Sequence, residues 1–363
     1  MAAAEQLTKE VAERLLARWP KESGSNTRLF LDPDDPDPSH PLARFTTVDE
    51  DAAAVLAGYR CGTLTLDGLT SLSDAAAEAL ARFRGPLRLN GLTILSSAAA
   101  EALAHQEGFL SLGLTWLSDA VALSLSRHKS RLRLPRLTAL SDVAAGALAG
   151  HKGDLELSAL TTLSDAAAEA LGRHQGGLQL GVTALTDHAA GALAELKGPL
   201  TLPQLTSLSE GPGHIRLAEK LASQGFVHLP HLTTLSDGPA GALAGAAREV
   251  WLYLNSLSDT VAQSLARLKG DLHLGPASLS DAAAEALSRH EGNLVLGLTA
   301  LSDTAARALV HHRGPLFLHG LTELSDAAAE ALTHHNGGLF INVDKLPESA
   351  ADILRPHVSR EGD

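Results

Sequence analysis

Three columns of residues with chemical potential recur along this chain at near-constant spacing. His128, His151, His174, His290, His312 and His335 each stand three residues after a recurring leucine. Stacked imidazoles suggest metal binding or pH sensing. The same column also holds Phe83, Leu196 and Leu268, however, which marks a packing position near a helix C-terminus, where the dipole also favours histidine. The Ser-Asp pairs from Ser73-Asp74 to Ser325-Asp326 read as helix caps, and without a general base at fixed spacing the serines are not nucleophiles. Thr70, Thr93, Thr115 and Thr138 read as a hydroxyl ladder that satisfies backbone groups in turns. Cys61 is a lone thiol, so no intramolecular disulfide forms, and it reads as a small core residue. The sequence holds no glycine-rich phosphate loop, no Cys-x-x-Cys and no His-Glu-x-x-His. No catalytic residue, cofactor or metal site is expected, and the chain reads as a non-enzyme.

One further set lies outside these columns. The middle residue of each L-x-L triplet faces outward from a strand, and along the chain these residues change from polar (Thr65, Arg88, Ser111, Arg133) to aromatic and apolar (His273, Val295, Phe317, Phe340). With strands roughly 4.8 Å apart, His228, Tyr253 and His273 are expected to form a short row flanked by Phe226 and Trp251. Aromatics make up only 3% of the chain, so their clustering here is informative, because Trp and Tyr dominate binding hot spots. Partner binding through Phe226, His228, Trp251, Tyr253, His273 and Phe317 is the first expectation. The alternatives are internal cover by the 209–225 segment or a second copy of the chain, and a small-ligand or metal site on the His-Tyr-His row. Trp116, with Ile94 one repeat earlier, marks a second candidate on the turn side.

The elements that position these residues come from one unit, LTLDGLTSLSDAAAEALARFRGP at 64–86, said again with small changes at a period of 22–23 residues. Leu64 and Leu66 alternate with Thr65 as in a half-buried strand, and Asp67-Gly68 turns the chain. Ala76, Leu80 and Phe83 recur at helical spacing behind the Ser73 cap, and Gly85 ends the helix. A strand joined through a helix to the next parallel strand coils right-handed. The expected fold is therefore α/β: a right-handed β-α solenoid of about 13 repeats, with a curved parallel sheet on one face and short helices on the other.

Residues 1–62 read as a cap of diverged repeats, with helices at Leu7–Leu15 and Val48–Leu56, a strand at Leu29–Leu31 and an acidic, proline-rich loop at 32–43. Repeats fill 63–338, with an irregular segment at 209–257, and 339–363 is a capping repeat and tail. The formal charge of −13 argues against nucleic acid or an anionic membrane as partner, and no stretch is apolar enough to span a bilayer. A cytoplasmic protein with a protein partner is the expectation, with end-to-end self-association of terminal strands as a further possibility.

The pattern L-x-L-P-x-L-T-x-L-S-x-x-A-x-x-A-L-x-x-H, clearest at Leu202-Pro203-Gln204-Leu205-Thr206-Ser207-Leu208, resembles the leucine-rich repeat, most of all its BspA type. It is also similar to bacterial GALA repeats, whose letters occur at Gly146–Ala149, Gly191–Ala194 and Gly241–Ala244. The resemblance covers roughly residues 45–356. It departs in lacking the ladder asparagine and any F-box-like segment. What the family implies is a curved parallel sheet that binds proteins.

One copy of the unit cannot offset its own ordering entropy, about 1–2 kcal/mol per residue, with seven apolar positions each yielding at most roughly 1.5–3 kcal/mol. A peptide spanning 64–86 is therefore expected to give a random-coil circular dichroism spectrum; a helical one would contradict the repeat argument.

Overall fold

The computed structural model describes residues 5–17, 42–59, 62–275 and 278–359. The expected strand at Leu29–Leu31, Cys61 and nearly all of the acidic loop lie outside the described residues. Among the described residues, fifteen α-helices alternate with short strands. The chain forms two compact units, Met1–Val182 with Glu195–Thr201, and Thr183–Ala194 with Leu202–Asp363.

Each unit carries its own parallel sheet, of seven strands in the first and six in the second. In the first, Leu64, Leu87, Leu110, Leu132, Leu155, Leu178 and Leu200 stand in register. In the second the register runs through Val227, Val250, Leu272, Leu294, Leu316 and Leu339. The leucines either side of each middle residue point inward: Leu87 and Leu89 are fully buried, with Ala99, Ala100 and Leu103 of the helix that follows. Alanine on the inner helix face lets that helix lie close to the strands, which a unit of this length requires.

Serine starts each regular helix except Asp187–Ala194, where Thr186 Oγ1 accepts the Ala189 amide at 3.0 Å. Ser96 Oγ accepts the Ala99 amide hydrogen at 3.0 Å, as Ser164 Oγ does for Ala167. The same hydroxyl donates to the first-turn aspartate of the preceding repeat: Ser141 to Asp119 at 2.6 Å, Ser280 to Asp259 and Ser302 to Asp281 at 2.5 Å, and Ser96, Ser164 and Ser325 to Asp74, Asp142 and Asp303. The aspartate therefore serves two ends, its own helix dipole and the next helix's cap. Threonines bridge the turns, with Thr206 and Thr322 each donating backbone N–H and hydroxyl to the carbonyls of Thr183 and Thr299.

The 209–225 segment does not cover the sheet. It forms the Pro212–Ala222 helix, which packs between Asp187–Ala194 and Asp237–Ala246 on the helical side. Its 11 residues exceed the usual seven by about one helical turn, which absorbs the lengthened repeat between Leu200 and Val227 without turning the buried face outward. Asp187 Oδ1 accepts from Gly213 N at 2.8 Å and His214 N at 3.2 Å, replacing the missing serine cap. Glycine is required at 213 because a Cβ would stand 1.8 Å from the Asp187 carbonyl oxygen.

At the chain's ends the irregular elements stack on the regular ones. Helix Lys9–Ala17 packs on Glu50–Ala57, which packs on Asp74–Leu80. After helix Glu348–Leu354 the chain returns, and Ser359 N donates to the Leu339 carbonyl at 2.8 Å.

Ser164→Ala removes a cap and the bond to Asp142, so it is expected to cost about 1–2 kcal/mol. Ser236→Ala should cost far less, because Ser236 makes no side-chain cap bond. Denaturation midpoints of the two variants check this, and equal shifts would contradict the role given to the serine ladder.

Candidate functional site

The histidine column is interior. His128, His151, His174, His290 and His312 are each at most 1% exposed, and His335 is half-buried. Within the first unit the rings of His128, His151 and His174 lie parallel at 6.0 Å, one per repeat; His290, His312 and His335 do the same in the second at 5.9 and 6.1 Å. Two of them bring a nitrogen near backbone carbonyls of the repeat before: His174 Nδ1 lies 3.4 Å from Ala149 O, and His335 lies 3.4 Å from Val310 O and 3.2 Å from Gly314 O, whereas both nitrogens of His128, His151, His290 and His312 are buried without a hydrogen bond. Gln106 occupies the same place, its Nε2 donating to Phe83 O at 3.1 Å and Gly85 O at 2.6 Å. Gln106, His174 and His335 thus reach carbonyls left over where the preceding repeat's helix ends, and the other four rings fill the same place as stacked packing.

Burial pushes the imidazoles of His128, His151, His290 and His312 down from their usual pKa. For His151 and His312 burial and then the flanking histidines take it to about 4. These rings are neutral at pH 7, and a neutral imidazole donates through one nitrogen only.

The two sheet faces differ in kind. On the first unit's face the charges neutralise one another: Arg88 pairs with Asp67 at 3.4 Å and Arg133 with Glu156 at 2.7 Å. Ser111 donates to Asn90 Oδ1 at 2.6 Å, and Gln179 to Ser158 Oγ at 3.1 Å. The second face is aromatic. Phe226 lies 6.1 Å from His228 and 6.2 Å from Trp251; His228 lies 5.7 Å from Trp251 and 6.4 Å from Tyr253. Trp251 stacks on His273 at 4.2 Å. Beyond Val295, Phe317 stacks on Phe340 at 4.4 Å and approaches His319 at 5.8 Å. Phe226 is 51% and Tyr253 47% exposed, so the rings are open to solvent.

The row on this face differs from the expected one. Register pairs His228 with Trp251 and Trp251 with His273, so the row is His-Trp-His and Tyr253 stands two residues further along its strand direction. The residue that opens this triplet is Val250, not Leu252, which makes Trp251 and not Tyr253 its middle residue. The signal was present: Asp259 follows Val250 by nine residues, as Asp119 follows Leu110 and Asp187 follows Leu178. Tyr253 takes the place that Gly113, Gly181 and Gly275 hold in those shorter repeats, and its ring approaches Gly275. The metal alternative loses its geometry, because His228 and His273 stand two strands apart, roughly 9.6 Å, with an indole between them. Among the described residues no group of three or more His, Cys, Asp or Glu is placed to hold a metal ion.

Two members of this face were not read from the sequence, Glu249 and Asp271. Glu249 Oε1 accepts from Trp251 Nε1 at 2.6 Å and lies 4.0 Å from His273 Nε2. Both acids sit two residues before a middle position, on the same face by the period of a strand. In the first unit Ile94 and Trp116, at 71% and 62% exposure, remain a separate apolar pair on the turn side.

No family model matches the chain, and no curated protein does. Among solved structures it is similar to a leucine-rich-repeat protein of Leptospira interrogans (16% identity over 85% of this chain and 97% of that one, TM-score 0.39). It is similar also to an internalin from Listeria monocytogenes (15% identity, 85% and 87% covered, TM-score 0.45). A third is a chain of the Drosophila Toll–Spatzle complex (14% identity, 82% and 45% covered, TM-score 0.43). The class that this chain's own strand pairs define is an α/β repeat protein, with parallel sheets of short strands alternating with helices.

The histidine column sets a pH window for stability. In the unfolded chain histidines protonate near pH 6.5, whereas His151 and His312 resist protonation until about 4 when folded. Between those values the unfolded state binds more protons, so stability falls as pH falls from about 6.5 to about 4 and this contribution is then exhausted. A His151→Gln, His312→Gln variant, which copies the Gln106 arrangement, should melt like the parent in mildly alkaline buffer and lose less Tm on acidification. Parallel melting curves would contradict the assignment.

Proposed function

We propose that this chain is a non-enzymatic scaffold for protein interaction, and that its working surface is the aromatic face of the second unit's sheet. The observation carrying the reading is the contiguous set Phe226, His228, Trp251, Tyr253 and His273, with Phe226, His228 and Tyr253 exposed and Trp251 and His273 half-buried between them, in a chain with few aromatics and continued by Phe317. Large exposed apolar rings on one face cost solubility unless a partner covers them, and Trp and Tyr are the side chains that hot spots favour. The chemical-looking columns support the non-enzymatic half, because their hydroxyls bond to neighbouring repeats and their imidazoles are stacked in the interior.

Residues 1–62 and 339–363 serve as caps in this reading, supported by stacking of Lys9–Ala17 on Glu50–Ala57 and by the Ser359 bond to Leu339. That bond also speaks against end-to-end assembly through the last strand, since it occupies an edge carbonyl. The BspA-like pattern, with proline and threonine after the strand, follows this chain's own repeat grammar, and GALA letters in three helices are a weaker likeness. Protein is favoured over nucleic acid as partner by the charge of −13.

Affinity capture from the cells that make the protein tests the surface. A Phe226→Ser, Trp251→Ser, Tyr253→Ser variant, verified as folded by circular dichroism, is expected to lose a partner that the parent retains. Retention of the same partner by both would place the site elsewhere.

A further inference from the structure

Resting on that surface, the chemistry of the occupant can be read from the charges around the rings. Register places Phe226, Glu249 and Asp271 side by side on three adjacent strands, one row from His228, Trp251 and His273. The row therefore runs ring, carboxylate, carboxylate, at roughly 4.8 Å per step. Two like charges side by side on neighbouring strands oppose folding unless something neutralises them.

On the first face Arg88 pairs with Asp67 and Arg133 with Glu156, while Asp154, which stands where Asp271 does, has no acidic neighbour opposite it on the strands to either side and accepts the Gly177 amide at 2.9 Å. Among the described residues neither Glu249 nor Asp271 pairs with a lysine or arginine; their neighbours are Trp251 Nε1, the Asn293 amide at 3.3 Å, and His273. Burial pushes the His273 imidazole down, against the pull of Glu249 and Asp271, so it leaves both negative charges in place at pH 7. The bonds to Trp251 and Asn293 engage Glu249 Oε1 and Asp271 Oδ1, fixing the carboxylates while leaving Oε2 and Oδ2 to accept from outside. The Glu249 side chain is 38% exposed, and the Phe226 ring beside it is half open.

We propose that the occupant of this face is a basic segment of a partner protein, anchored by an arginine whose guanidinium lies against Phe226 and donates to Glu249 and Asp271. A guanidinium matches the site better than an ammonium, because it is planar, stacks on aromatic rings and donates in a fork to carboxylate oxygens. The partner thereby supplies a cation for two neighbouring carboxylates that have no Lys or Arg partner among the described residues. The charge of −13 draws such a segment in from a distance at low salt.

Fluorescence anisotropy of labelled Gly-Ser peptides with the full chain tests this, the peptides carrying arginine, lysine, citrulline or glutamate at the same places. The arginine peptide is expected to bind most tightly, lysine next, and citrulline and glutamate not measurably, with binding weakened by salt. Glu249→Gln and Asp271→Asn, which keep shape and remove charge, should each weaken arginine-peptide binding by about three- to tenfold. Equal binding of arginine and citrulline peptides, or full binding by the double variant, would overturn the proposal. Failure of this inference is separable from failure of the surface itself. If the natural partner is lost by the aromatic variant but kept by Glu249→Gln, Asp271→Asn, the surface stands and its occupant is not cationic. If both variants keep it, the surface reading falls and this one with it.

Discussion

The regular repeats of this chain turn before and after a helix within 22–23 residues, and the helix ends and turns leave backbone donors and acceptors without a partner in their own repeat. The structure answers with ladders that run across repeats. Serine hydroxyls accept from the start of their own helix and donate to the aspartate of the one before. Threonines serve the turn carbonyls, and histidine or glutamine reaches the carbonyls where the preceding helix ends. The inter-repeat bonds exist only between neighbours, so they add to the stacking that the leucine core provides. They also give the recurrent Ser, Asp and Thr a structural role.

Much of this was legible in the residues. A Ser-Asp pair ahead of an Ala-rich helix announces a cap, and Leu-x-Leu announces a strand with one buried face. What the sequence could not display was the partner of a side chain one period away: Asp142 reads as a helix-dipole residue until Ser164 is found bonded to it. The row at Val250–Leu254 was misphased for a different reason. Val-Trp-Leu and Leu-Tyr-Leu both satisfy the strand pattern, and only the fixed distance to Asp259 decides between them. The irregular 209–225 segment was legible as an insertion but not as a helix turn, since Gly-Pro-Gly reads as a loop until Asp187 is seen capping the amides of Gly213 and His214.

The contrast between the two sheet faces is what gives the molecule a direction. Ladders make every repeat equivalent in the interior, so individuality is confined to residues that the ladders do not use. In the first unit those residues close on themselves as ion pairs and hydrogen bonds. In the second they remain as open rings beside carboxylates without a cationic partner among the described residues. A surface of that composition is costly to leave in water and well suited to being covered.

The most direct measurement is hydroxyl-radical footprinting of the full chain with and without its captured partner. The account predicts that oxidation of Phe226, Trp251 and Tyr253 drops in the complex while Trp116, on the first unit's turn side, is unchanged. Protection of Trp116 with the second unit's rings still fully reactive would contradict it.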